Sequence, residues 1–349
     1  MVGRDSWTAL SSRGCGPLGS PLPPSSDTMS PRWALGKALG AAGTLAFVVV
    51  TDFFLFRVVA HNPVATLYRG RNLTAEQREE LTRQFGLDGS LWDQFLRFLV
   101  ETAQLNLGRS YTTNRPVMEE ILTAAPPTIA LVGVATLLSM GLGITFGVVA
   151  AWRRGTWKDS ALTSASMTTW SLPDFWLGMM LLAFLAAGLG LFPTGGIIDP
   201  SEPEGFAGLL DRAHHMALPC ITLAVAYLGE YALVMRSSLL DTMREDYLTL
   251  ARAKGLRDTV VRNRHAVRNA LLPVTTLVAI NLGFVLSGAI AVETVFSWPG
   301  LGLATAEAIR GPNLPMLQGL FLVFSAAVIF CNLVAELVYP LLDPRVRRA

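Results

Sequence analysis

Six apolar runs, each long enough to cross a lipid bilayer, dominate this 349-residue chain. They lie at about Leu35–Val59, Pro127–Ala151, Ala161–Leu189, Leu218–Leu240, Leu272–Val292 and Met316–Leu341. At a helical rise of about 1.5 Å per residue, each covers a hydrocarbon core of about 30 Å. In lipid only helices and closed barrels satisfy every backbone hydrogen bond, and these runs are too long for barrel strands. The expected fold is an all-α membrane protein with six transmembrane helices. Charged residues make up only 15% of the chain, against about 25% in soluble domains. A net charge of +2 carries no nucleic-acid signal, so none is expected as a partner.

Charge placement sets the expected orientation. Arg153, Arg154 and Lys158 lie between the second and third runs, and Arg244, Arg252, Lys254, Arg257, Arg262, Arg264 and Arg268 between the fourth and fifth. Arg345, Arg347 and Arg348 close the chain, whereas the loop after the third run holds Asp199, Glu202, Glu204 and Asp211 against Arg212. The positive-inside rule puts both basic loops and both termini in the cytoplasm. The expected division is a disordered cytoplasmic tail over 1–33, a first transmembrane helix over 34–60 and an extracytoplasmic segment over 61–125. A five-helix core over 126–342, with a cytoplasmic loop at 241–271, and a basic cytoplasmic tail over 343–349 follow. Met29 offers a second sensible start, and the first run reads as an anchor rather than a cleaved signal. In the outer segment, Thr74 and Gln77 form a capping box for a helix to about Phe85. "FGLDGSLWDQFLRFLVE" reads as a turn and an amphipathic helix capped by Asp88 or Ser90. That segment covers helix ends, and it is also a candidate docking surface for an external partner.

The loop from Arg244 to Val274 is too long and too structured for a simple turn. Leu248, Ala251, Gly255 and Leu256 make an apolar stripe on short helical pieces, with Arg252, Lys254 and Arg257 left wet. Ala251, Ala253 and Gly255 are small enough for close approach by another protein. Pro273 suits the first turn of the next span. Two readings fit these residues alone: a helix resting on lipid headgroups, or a docking helix for a partner.

"DYLTLARAKGL" (Asp246–Leu256) followed by "RHAVRNALLP" (Arg264–Pro273) resembles the coupling loop of binding-protein-dependent ABC importer permeases, and more narrowly the dipeptide/oligopeptide/nickel permease family. "FPTGG" (Phe192–Gly196), "HMALP" (His215–Pro219), "VETVFSWPGLG" (Val292–Gly302) and "NLVAELVYPLLDPRVRR" (Asn332–Arg348) are similar to that family too, in the same order. The resemblance implies a type I ABC importer transmembrane domain in a prokaryotic plasma membrane. It implies a second, different permease subunit, two ATPase subunits below the pair, an extracytoplasmic substrate-binding protein, a peptide cargo and a lipid surround. ATP and magnesium would sit on the ATPase subunits, with no cofactor or metal on this chain. By matching positions, Ala251, Arg252, Ala253, Gly255 and Leu256 would form the coupling helix, braced by Tyr247, His265, Arg268 and Asn269. Glu293, Phe296, Trp298, Pro299 and Gly300 would belong to an outer gate or turn. The chain departs from the family in "RGPNLPMLQG" (Arg310–Gly319), in "LNLGRSY" (Leu105–Tyr111), which lacks an acidic residue before Leu-Gly, and in Glu336, which replaces an aspartate.

Ionisable residues within spans are costly and point to function. Glu230 lies near the middle of the fourth run, either facing the path to meet a peptide amino group or hydrogen-bonded between helices. Asp174 follows Pro173, which frees a backbone carbonyl and kinks the third run, and it reads as satisfying local groups, with a path role as the alternative. Asp52 and Arg57 would pair or reach the interface. His61, His214, His215 and His265 lack metal-ligand spacing, and the cysteines at 15, 220 and 331 form no CxxC. There is no G-x-x-x-x-G-K-[ST] phosphate loop and no catalytic constellation, so the chain is expected to be a transport subunit rather than an enzyme. The same machine carrying nickel, a metal chelate or glutathione is an alternative. An ion-gradient-driven transporter using Glu230 and Asp174 is a more distant one.

Overall fold

The structure, a computed structural model, describes residues 31–59, 76, 89–199 and 205–342. Most of the expected N-terminal tail, the capping box at Thr74 and Gln77, Asp88, His61, Glu202, Glu204 and the basic tail at 343–349 lie outside the described residues.

The described chain is helical almost throughout. Helix α1 (Pro31–Phe54) opens on a proline, which costs nothing at a first helical position, and ends in a π-helical turn, Leu55–Val59. Helix α2 (Leu91–Ala103) follows, started by a capping box in which Asp93 N donates to Ser90 Oγ and Ser90 N to Asp93 Oδ2. Ser90 is thus the cap. Helix α3 (Val117–Trp152) is 36 residues long and contains the second apolar run. It starts well before that run, because a helix continues past the lipid edge until something stops it. Here the stop is the Arg109↔Pro116 bridge of the preceding loop.

The third run is broken. Helix α4 (Trp157–Ser171) and helix α5 (Asp174–Leu181, continued by a π-helical stretch to Gly188) meet at a 99° bend. Pro173 has no N–H to give the ladder and forces Leu172 into an extended conformation, φ −82° and ψ 132°. Helix α6 (Phe206–Thr242) is 37 residues long and keeps Pro219 inside. A tight turn leads to α7 (Asp246–Ala253), and the π-helical stretch Val261–Ala266 leads into α8 (Val267–Val295). Helices α9 (Leu301–Arg310) and α10 (Leu314–Leu342) complete the chain.

Among the described residues, four helices are long and apolar enough to cross a membrane: α1 with its extension to Arg57, α3, α6 and α10 up to Leu337. The bent α4–α5 pair makes five if it is one span. Helix α8, 29 residues long, occupies the fifth apolar run.

Helix α6 is the axis of the bundle. Against α3 the approach is backbone to backbone: a Cβ on Gly143 would lie 2.8 Å from Leu228 O, and one on Gly147 2.6 Å from Ala232 O. This glycine pair, four residues apart, is the small-residue contact by which membrane helices pack when water supplies no driving force. Against α4, Arg236 Nε and Nη2 donate to Asp159 Oδ1 and Oδ2 at 2.8 and 3.0 Å. Asp159 also accepts from Gly155 N and Thr163 Oγ1. Such a two-pronged, largely shielded pair fixes geometry as well as charge.

Candidate functional site

Two regions concentrate the residues singled out in the sequence, one at each end of the bundle, with Glu230 between them. The first is the α7 loop. Leu248 and Ala251 are buried in the core formed with Tyr231, Met235 and Leu239 of α6 and Ala270 and Val274 of α8. Ala253, Gly255 and Leu256 are exposed. The expected stripe is therefore split: its first half anchors the helix and its second half faces outward. The division follows from how α7 ends. Gly255 has φ +76°, Gly255 N donates to Arg252 O and Leu256 N to Ala251 O. This is a Schellman stop, which turns the chain before Gly255 and Leu256 can join the buried face.

Bracing is supplied partly by expected residues. Asn269 Nδ2 donates to the Tyr247 hydroxyl at 2.7 Å. His265 is half-buried and Arg268 exposed, and neither side chain makes a hydrogen bond or ion pair among the described residues. Trp152 and Asp258, which the sequence did not flag, do more. Trp152 Nε1 donates to Asp258 Oδ2 at 3.1 Å, and the Arg252 guanidinium lies 5.9 Å from the Trp152 ring and 3.8 Å from Asp258. Arg252 is thus held to the end of α3 by a cation–π contact and a loose ion pair. Beside the loop, a cleft of about 570 Å³ opens between the end of α6 and the start of α8, with Asp241, Glu245 and Asn269 on its walls.

At the opposite end, Glu293 is fully buried. Its Oε1 accepts from Thr128 Oγ1 at 2.7 Å, and its Oε2 from Gly302 N at 2.7 Å and Leu303 N at 3.2 Å. Thr128 Oγ1 in turn accepts from Leu301 N at 2.8 Å. The carboxylate and the threonine therefore satisfy the first N–H groups of α9, which otherwise lack partners. Trp298 is buried, and its Nε1 donates to Pro127 O at 3.1 Å. Phe296 is buried, and its carbonyl accepts from Gly196 N. Pro299 and Gly300, the N-cap of α9, complete the turn. Leu218, Phe192 and Met216 pack with Phe296 and Trp298. The segments "FPTGG", "HMALP" and "VETVFSWPGLG" thus form one packed body.

Two of the departures noted in the sequence meet each other. Asn313 Nδ2 donates to Ser110 Oγ at 2.8 Å and Thr112 Oγ1 at 3.1 Å, while Tyr111 N donates to Asn313 Oδ1 at 3.0 Å. The α9–α10 turn and the loop before α3 are therefore latched through a buried asparagine. Glu336 pairs with Lys37 of α1 at 3.2 Å.

Between the ends, Glu230 Oε2 accepts from Asn281 Nδ2 at 2.9 Å, and both residues are half-buried. Asp174 begins α5 and accepts from Phe175 N at 2.7 Å, so part of its carboxylate is occupied locally. Asp52 and Arg57 do not pair. Arg57 Nε donates to Gln94 Oε1 at 2.8 Å, and Asp52 is buried where neither carboxyl oxygen completes a hydrogen bond among the described residues. His214 and His215 engage Leu191 O and Asp211, not each other.

Comparison with known proteins gives a consistent picture. Residues 143–348 match the family described as the binding-protein-dependent transport system inner membrane component, and residues 31–132 match the N-terminal part of such membrane components. The chain is 36% identical over 315 residues to the di/tripeptide transport system permease protein DppB of Pseudomonas aeruginosa, covering 86% of this chain and 94% of that protein. It is 33% identical over 322 residues to the dipeptide transport system permease protein DppB of Escherichia coli, covering 87% and 95%. It is 34% identical over 315 residues to the glutathione transport system permease protein GsiC of Salmonella paratyphi A, covering 90% and 98%.

Proposed function

The chain belongs to the binding-protein-dependent transport system inner membrane component family, and from that premise we propose that it forms half of a translocation path for di- and oligopeptides. As a multi-pass inner-membrane permease of an ABC importer it is not itself an ATPase, and it works with ABC ATPase and binding-protein partners. The finer reading has six spans, with α8 and the α4–α5 pair both crossing, the termini and the α7 loop in the cytoplasm, and a heterodimer with a second permease. ATP and magnesium belong to the two ATPase subunits in this reading.

The observation that carries it is α7. Leu248 and Ala251 bury one side of this short helix in the bundle, while Ala253, Gly255 and Leu256 stay uncovered at the basic end. A helix gripped from one side and open on the other is a lever for a docked partner. Arg252, Ala253, Gly255 and Leu256 would meet the ATPase, with Ala251 anchoring the helix from its buried side, Tyr247 and Asn269 holding it, and His265 and Arg268 left to touch the partner. The test is a pull-down of the tagged subunit from solubilised membranes with ATPase activity assayed. Wild type is expected to bring down both ATPases and a second permease. Ala253→Trp and Gly255→Trp are expected to lose the ATPases while the second permease stays bound. A wild-type subunit that comes down alone, with peptide uptake insensitive to loss of ATP, would return the ion-gradient reading.

Peptide cargo is supported by the relatives' named substrates and by Glu230, whose Oε1 has no hydrogen-bond partner among the described residues once Asn281 takes Oε2. A carboxylate there suits the ammonium end of a peptide, with Asp174 further along the same path. Replacement of Glu230 by Gln is expected to lower dipeptide uptake about tenfold, the cost of one charge-assisted hydrogen bond of about 1.5 kcal/mol, with complex assembly unchanged. Wild-type uptake across several dipeptides would remove Glu230 from the path. Glutathione, itself a tripeptide, is the alternative cargo that the relative GsiC favours, and competition between glutathione and dipeptides in the same uptake assay separates the two. Glu293, Phe296, Trp298, Pro299 and Gly300 act in this reading as the frame of the outer gate.

A further inference from the structure

Helix α2 carries an apolar face that none of the described residues covers. We propose that this face lies in the membrane interface, at the end of the bundle opposite α7, with lipid as its occupant. The sidedness follows from connectivity: α2 precedes the start of α3, and the far end of α3 carries Trp152, which holds Arg252.

At 100° per residue, α2 has three sectors. Gln94 and Phe98 turn toward α1, where Phe53 packs on Phe95 and Phe98 at 5.1 and 5.6 Å and Arg57 Nε holds Gln94. Asp93, Arg97 and Glu101 form an exposed polar edge. The remaining arc holds Trp92, Leu96 and Val100, which are 64%, 44% and 56% exposed, together with Leu99 and Ala103. A helix with one such apolar face, a polar edge and a tryptophan is built to lie in the headgroup–acyl boundary.

Lipid is singled out by continuity with the exposed apolar side of α1, a helix long and apolar enough to cross a membrane. On α1, Phe47 and Phe54 are 70% and 52% exposed in a membrane-spanning helix. Phe54 stacks on Phe95 at 6.4 Å, and Phe95 contacts Trp92 at 5.7 Å. The exposed apolar side of α1 thus runs through three rings onto the open arc of α2. The hydrogen bond and the ring contacts between the helices fall within one turn of each, residues 53–57 and 94–98, as in helices that cross rather than run alongside each other. The polar edge mixes Asp93, Arg97 and Glu101, so the attraction is apolar rather than a charge match to headgroups.

The test uses the assembled transporter in lipid nanodiscs, with Cys15, Cys220 and Cys331 replaced by serine and single nitroxide labels at Leu96→Cys, Val100→Cys, Arg97→Cys and Glu101→Cys. Oxygen and a water-soluble nickel chelate serve as relaxation probes. The labels at 96 and 100 are expected to favour oxygen over nickel several-fold relative to those at 97 and 101. Equal nickel access at all four sites would mean a water-facing helix and would overturn the proposal. Protection of 96 and 100 from both probes would overturn it in favour of cover by the chain between residues 60 and 88 or by a protein partner.

Discussion

Replacing Gly147 by valine is expected to remove most of the folded subunit from the membrane, about tenfold or more. The side chain has nowhere to go. A Cβ at this position already lies 2.6 Å from Ala232 O, 2.7 Å from Met235 Cβ and 3.0 Å from Arg236 N. The carbonyl and the amide are backbone, so no rotamer change relieves the clash and α3 must part from α6 over at least a turn. Overpacking alone costs about 1–3 kcal/mol. Parting these helices also opens the core around Tyr231 and Met235. Gly141→Val is the control, since a Cβ at Gly141 meets nothing within 4 Å. Monodisperse protein in detergent, measured by size-exclusion chromatography of a fluorescent fusion, should fall for Gly147→Val and hold for Gly141→Val. Equal loss from both would shift the cause from packing to insertion.

The second large effect is expected from Glu293→Ala. The substitution strips the acceptor from Thr128 Oγ1, Gly302 N and Leu303 N in a site closed to water. A buried group left without its partner costs about 1–3 kcal/mol, so the loss should reach about 3 kcal/mol or more. Glu293→Gln keeps one oxygen for the two backbone N–H groups and should recover much of it. The purified complex should melt several degrees lower with alanine than with glutamine. An alanine variant melting with wild type would show that α9 is held by something other than this carboxylate.

Much of this architecture was readable in the sequence because lipid imposes a simple rule on length and apolarity. Five of the six apolar runs fall inside continuous helices, while the third is split in two at Pro173, where the sequence suggested only a kink. The size of that break, 99°, was not readable, because a proline dictates a missing bond and not the direction in which the chain leaves. Helix ends were misjudged outward: α3 and α6 begin at Val117 and Phe206, well before their apolar windows. Amphipathic turns outside lipid extend a helix without raising its hydropathy. The α7 stripe was half right, since a glycine with positive φ ends the periodicity that the pattern assumed to continue. Least legible were the contacts between distant segments. Thr128 meets Glu293 across 165 positions, and Ser110 meets Asn313 across 203. Nothing local in "PPT" or "GRSY" names its partner, and the two departures from the family pattern looked independent until folding brought them together.

Helix α6 is clamped along its length, to α3 by the glycine contact and to α4 by the Arg236–Asp159 pair, and it continues into α7 through a turn of a few residues. A load arriving at α7 therefore cannot be absorbed by bending one helix. In the proposed reading it would be shared by three helices, and Glu230 is mounted on their shaft. The same block is tied to the closed end as well, through Thr128 to Glu293, Pro127 to Trp298 and the packing of Leu218 with Phe296. The shaft thus joins the two ends of the subunit, so a substitution at either end is felt at the other through α6 and α3.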